Sequence, residues 1–215
     1  MTQTTHSSRF SLGPTLALLV LLASVPILSG CAGVVLGGVA TGAYAVAQER
    51  SVGDALDDAG IKLKVNDKVL GNLPHAHPGL ETEVIEGRVL LAGFAPTPED
   101  RDEIVRLTWT VTGVRQVINE LQIGDSSSFA DLAKDSWITT QLRTSLVTDF
   151  GITDINYNIE TVNGTIYILG IAQNQSEIDM VTSHASTISG VERVISYAIT
   201  KDDPSRFRTP PATTS

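Results

Sequence analysis

The same module occurs twice in this chain, and that repeat limits what it can fold into more than any other feature. Gly87, Gly93 and Gly113 recur as Gly164, Gly170 and Gly190 at a constant step of 77 residues. Apolar positions keep the step: Ile61 pairs with Ile138, Val65 with Leu142, Val69 with Leu146, Val89 with Ile166, Leu91 with Ile168, and Val114 with Val191. A fixed period held without gaps marks a repeated structural unit. The chain therefore builds two similar small domains rather than one large one. Asp135 to Gly190 is the better-formed copy.

Each copy spells out the same order of elements. Ile61, Val65 and Val69 lie four apart, one stripe of a helix. Gln48 to Asp58 reads as a charged linker into that helix, and Asn66 to Pro78 as a loop, by its Gly and Pro. Thr82 to Ile85 and Arg88 to Phe94 read as strands joined at Glu86-Gly87. Thr97-Pro98-Glu99-Asp100 is a helix start, with a capping hydroxyl, proline in the first turn and acids against the positive helix end. Ile104, Leu107 and Val111 form its apolar stripe, Gly113 ends it, and Val114 to Ile123 is a third strand.

In the second copy Asp135 or Ser136 caps a helix carrying Ile138, Leu142 and Leu146, which stops at Gly151. Asn156 to Val162 and Thr165 to Ile171 flank Asn163-Gly164, a strong hairpin signal. Asn174 with Glu177 has the form of a capping box. It opens a helix with Ile178, Val181, Ala185 and Ile188, and Val191 to Thr200 follows as a strand. The fold class is α+β: two tandem α-β-β-α-β modules, each a small mixed three-stranded sheet with two helices packed on one face. The strand-helix-strand crossover is expected to be right-handed. The six repeated glycines are assigned to turns, with Gly93 and Gly170, inside strand patterns, marking bulges or close backbone approach. The modules span 57–124 and 131–201, joined by a linker at 125–130. Residues 202–215 are polar, contain Pro204, Pro210 and Pro211, and are expected to be disordered.

The N-terminus has a different character. Arg9 is the only Lys, Arg, Asp or Glu before Glu49, and it precedes the apolar run Leu16 to Ala23 and the small residues up to Gly30. This describes a secretory signal over 1–30. Leu28-Ser29-Gly30-Cys31 resembles a bacterial lipobox, and Cys31 is the one cysteine in the chain. That resemblance implies acylation of Cys31, a tether over 31–56 and, with Ala32 rather than aspartate next, sorting to the periplasmic face of the outer membrane. A transmembrane helix is the competing reading, since about 20 apolar residues suffice to span. Pro26 and glycines 30, 33, 37, 38 and 42 interrupt that run.

Charge and motifs remove several function classes. A net charge of −9 argues against nucleic acid, which needs a clustered basic surface. No serine or cysteine has a base at recognisable spacing, and neither phosphate-loop nor dinucleotide glycine spacing occurs. His75-Ala76-His77 lacks a third ligand for a metal, and His184 stands alone on a helix. Glu99-Asp100 and Asp57-Asp58 sit at helix starts, where acids serve the dipole. No enzyme, metal or cofactor is expected.

One surface remains. At 100° per residue, Ile138, Leu142 and Leu146 face one side of their helix, while Trp137 and Val147 fall near each other on the outer side. Thr140, Thr144 and Thr148 lie between them and Arg143 borders the face. Such a face, with one adjacent cation, suits an interfacial membrane contact. Burying about 100 Å² of it is worth roughly 2.5 kcal/mol, enough beside an anchor that raises the local concentration. The alternative is that Trp137 packs against the first module, the tail or a partner. The first module has Gly60 and Asp67 where Trp137 and Thr144 stand, so only the second is a candidate for lipid.

With that order established, both modules resemble BON domains, on the glycine spacing and Ser189-Gly190-Val191. Arg50-Ser51-Val52-Gly53, Asp135 to Thr140, Glu160 to Gly164 and Ile168-Leu169-Gly170 resemble the dual-BON outer-membrane lipoproteins in particular. The resemblance implies binding of anionic phospholipid through the second module, a part in envelope integrity and enrichment at division sites, and no enzyme activity. A different class stays open: an interaction adaptor for outer-membrane assembly or peptidoglycan-remodelling proteins. Oligomeric state is not legible.

Overall fold

In the computed structural model, which describes residues 51–124 and 129–207, Ser51 opens the first helix, α1 (Val52–Asn72). Its side chain accepts the Asp54 N–H, and the Asp54 carboxylate accepts the Ser51 N–H, a reciprocal capping box. The linker expected over Gln48–Asp58 is thus helix from residue 52 on. The loop expected from Asn66 is likewise helix as far as Asn72. Val65 and Val69 are fully buried, and that packing outweighs the poor helix propensity of Gly71.

The first module continues with β1 (Leu80–Ile85), β2 (Arg88–Ala95), α2 (Pro98–Trp109), β3 (Gln116–Asn119) and β4 (Gln122–Ile123). The second repeats it with α3 (Phe129–Thr148), β5 (Tyr157–Val162), β6 (Thr165–Ala172), α4 (Gln175–Thr187), β7 (Arg193–Ser196) and β8 (Ile199–Thr200). In each sheet the middle strand, β2 or β6, pairs antiparallel with its hairpin partner and parallel with the strand after the crossover helix. The third strand expected over 114–123, and again over 191–200, is in each case two short pieces on the same neighbour. Both hairpin turns have two residues at positive φ, Glu86 and Gly87 at 51° and 69°, Asn163 and Gly164 at 49° and 69°. That geometry matches the natural strand twist.

The helices of each module cover one sheet face. Ile61, Val65, Leu91 and Ile104 form one core, and Ile138, Leu142, Ile166 and Val181 form the other. The opposite sheet faces are not left to solvent. They pack on each other through Ile85, Leu90, Ala92 and Ile118 against Val162, Tyr167, Leu169 and Ile171. The layers run helix, sheet, sheet, helix, and every residue of β6 is buried. At the rim Tyr197 donates to Glu120, and Asn158 donates to Glu83 at 2.9 Å.

The tail does not begin its departure at Asp202. Pro204–Phe207 is a short 3-10 turn, and Arg206 returns to the first module, forking onto Glu86 at 2.9 and 2.5 Å with both side chains nearly buried. A bidentate, shielded pair of this kind is among the stronger ones. The expectation of disorder is corrected as far as Phe207. The signal peptide, Cys31, most of the tether, and residues 125–128 and 208–215 lie outside the described residues. The described residues fall in one compact unit that contains all three cores. Among the described residues no helix is long and apolar enough to cross a membrane.

Candidate functional site

The rotation of α3 is set by one buried carboxylate. Asp135, 5% exposed, accepts the N–H groups of Asn163 and Gly164 at 2.7 and 2.9 Å. Its position in the repeat is held by Asp58, 4% exposed, which accepts from Glu86 and Gly87 at 2.8 and 2.9 Å. Asp135 does not cap its helix and Asp58 does not stand at a helix start, the places expected of them. Each sits inside its helix and clamps the hairpin turn below it. The 77-residue step carries this signal, since it takes Asp58 onto Asp135 and turn onto turn. Thr139 and Thr161, hydroxyl to hydroxyl at 2.7 Å, add a second tie between α3 and β5.

With Ile138, Leu142 and Leu146 fully buried, the residues between them must point outward. Trp137 is 63% exposed and Val147 68%, and Thr140, Arg143 and Thr144 are exposed as well. The first module does not cover the Trp137 ring. The threonines carry little demand for water. Thr140 donates to Ser136 O and Thr144 to Thr140 O, both at 2.8 Å, and Thr148 donates to Thr144 O and Ser145 O. Such bonds back to the preceding turn occupy the hydroxyl donors, lowering the cost of moving this stripe into an apolar medium. Arg143 acts on Asp154, whose carboxyl is pushed up by burial and drawn down by that guanidinium.

Two further apolar side chains near the ends of α3 are exposed. Phe150, just past the end of α3, is fully exposed, and Leu132 near its start is 54% exposed. The loop bearing Phe150 is fixed by Asp149, which accepts from Gly151 N–H at 2.8 Å and pairs with His184 Nε2 at 2.9 Å. That His184 bond, first, holds the Asp149 carboxyl below its usual range. Helical spacing does not reach Phe150, because the helix has ended.

Close backbone approach accounts for the glycines inside the strands. A Cβ on Gly93, whose φ is 91°, would stand 2.1 Å from Gly79 O, and one on Gly170 would stand 2.3 Å from the Tyr157 ring. Gly87 and Gly164 press against the carbonyls of Gly113 and Gly190, where Arg115 and Glu192 N–H groups donate to Gly87 O and Gly164 O at 2.8 Å. Gly87 and Gly164 thereby seat each hairpin turn on the loop that follows the crossover helix.

The polar candidates set aside in the sequence are structural here. His75 pairs with Asp100 at 3.0 Å, and among the described residues no three potential ligands converge for a metal. A cleft of about 530 Å³ lies between the start of α1 and Gly113. Its acids Asp58 and Glu86 are committed to the turn and to Arg206.

A BON-domain model matches residues 57–125 and 134–200, one match on each module. This chain belongs to the BON-domain family. The chain is 34% identical over 186 residues to the outer membrane lipoprotein DolP of Haemophilus influenzae, covering 86% of this chain and 96% of that one. A protein from the gshII 5′ region of Anaplasma centrale is 36% identical over 143 residues, covering 66% and 93%. The osmotically-inducible protein Y of Escherichia coli is 25% identical over 145 residues, covering 66% and 72%.

Proposed function

We propose that this chain is a periplasm-facing outer-membrane lipoprotein, anchored through acylated Cys31, whose second BON module lies on anionic phospholipid through the outer face of α3. Trp137, Val147 and Phe150 enter the interface, Thr140 and Thr144 line it with satisfied hydroxyls, and Arg143 meets the headgroups. The observation that carries this reading is the exposed Trp137–Val147 face held outward by a buried clamp. The likeness to an outer membrane lipoprotein over most of both chains supports the anchor and the compartment, and with them a role in envelope integrity and at division sites.

Trp137 itself reports the test. In residues 42–215 bearing Trp109→Phe, titration with phosphatidylglycerol vesicles is expected to shift the Trp137 emission to the blue, and phosphatidylcholine vesicles to leave it unchanged. Trp137→Ala is expected to cost about 2.5 kcal/mol of binding, nearly two orders of magnitude in affinity. Arg143→Gln is expected to weaken only the preference for anionic lipid. Emission indifferent to both vesicle types would overturn the lipid reading and leave the adaptor.

A further inference from the structure

The outer face of α1 carries a stripe that the lipid reading does not use. Leu56, Leu63 and Leu70 are 64%, 62% and 50% exposed, at intervals of seven along one helix. They stand on the side away from Ile61, Val65 and Val69, so the core does not need them. In the repeat, Leu63 and Leu70 occupy the places of Thr140 and Val147. The surroundings differ, however. Asp67 lies about 40° from Leu63 on the helix surface, inside the stripe, where α3 has Thr144. A carboxylate in the middle of the face disfavours an anionic bilayer. A seven-residue apolar interval is instead what a second helix reads, each knob seated between residues of its neighbour.

The charges beside the stripe choose that helix. Asp57, Lys64 and Lys68 fall on one flank, roughly 100–140° from Leu63, with the acid in the first half of α1 and both bases in the second. All three are exposed. Two copies of α1 laid antiparallel about Leu63 place Asp57 of each beside the lysines of the other. Laid parallel, the same flank of each helix turns to the opposite side, and these three charges do not meet their counterparts. Ala59 and Gly60 leave room for Asp67 of the opposing helix. We infer that the Leu56–Leu63–Leu70 face pairs with the same face of a second copy, antiparallel and two-fold symmetric, with Leu63 opposite Leu63 and Leu56 opposite Leu70. A three-leucine seam buries less than the roughly 1,200 Å² typical of stable interfaces, so the pairing is transient. Because α1 and α3 cover opposite outer faces of the molecule, pairing leaves both α3 faces free and directed apart.

Residues 42–215 contain no cysteine, since Cys31 is the only one, and this makes the register readable. Sedimentation of this unit is expected to shift from monomer towards dimer between micromolar and near-millimolar concentration, and Leu63→Asp is expected to abolish the shift without changing the circular dichroism spectrum. Under mild oxidation Leu63→Cys is expected to give a disulfide dimer. Leu56→Cys and Leu70→Cys are each expected to fail alone and to cross-link when the two proteins are mixed. A concentration-independent monomer sinks the proposal, and equal cross-linking of all three single variants sinks the antiparallel register. Loss of phosphatidylglycerol-vesicle binding in Leu63→Asp, with sedimentation unchanged, would make the stripe a lipid contact and overturn pairing, while leaving the Trp137 test to stand or fall by itself.

Discussion

Asp135→Ala is expected to destabilise the protein by about 3–5 kcal/mol, a large share of the stability of an ordinary domain. The carboxylate takes two backbone N–H groups at 2.7 and 2.9 Å, and hydrogen bonds to a charged group contribute about 1.5–3 kcal/mol each. Removing it leaves the Gly164 N–H buried with nothing to donate to. Asparagine does not rescue, because one of its two terminal groups is itself a donor and would face an N–H. Urea denaturation should therefore rank wild type far above both variants, and amide exchange should accelerate first at Asn163 and Gly164. The loss also reaches function, since the same clamp sets which side of α3 faces outward. Asp135→Asn at wild-type stability would refute the clamp. Asp58→Ala provides the internal repeat of the experiment, with a loss of similar size expected.

That clamp shows where sequence reasoning stopped. Periodicity located Ile138, Leu142 and Leu146 because burial on a helix repeats every three to four residues, and it put Trp137 and Val147 on the far side by the same geometry. The hairpins were legible because Asn163-Gly164 tolerates positive φ at both turn positions. An aspartate ahead of an apolar run reads equally as a cap, and only the long-range hydrogen bonds across 28 and 29 residues distinguish the two. The sheet-to-sheet joint was hidden for a related reason. Glu81 and Glu83 alternate with Leu80, Thr82 and Val84 as a solvated strand face would, yet that face meets the second module. Leu90, Ala92 and Leu169 gave the opposite hint, since strands covered on both sides read as continuous apolar runs. Arg206 escaped notice because a polar, proline-bearing tail has no period to betray a contact made 120 residues earlier.

The joint between the modules should be stronger in mild acid than in mild base. Glu160 on β5 faces Glu81 and Glu83 on β1, with Lys62 on α1 and Asn158 beside them. Burial first, and then the two neighbouring carboxylates, push the Glu160 carboxyl up to about 7, with Lys62 opposing. Burial also raises Glu81. Native Glu160 thus holds a proton that the unfolded chain releases near 4.5. Between those two values the folded state binds more protons, and stability falls as pH rises through the window. Above 7 the whole cost is present, on the order of 3 kcal/mol for a shift of this size. Glu160→Gln keeps the oxygen that accepts the Thr161 N–H and removes the charge. It is expected to raise stability at pH 8 by up to about 3 kcal/mol and by little at pH 5, leaving a shallower slope that Glu81 sustains. Asp100 and Asp149, whose carboxyls are held low, have the opposite sign, and their stabilisation is lost only below the ordinary aspartate range. They do not enter this comparison. Urea midpoints of both proteins at pH 5 and pH 8 decide the matter. A wild-type protein equally stable at both, with Glu160→Gln superimposed on it, would mean that water reaches Glu160 and that the two sheets do not close over it.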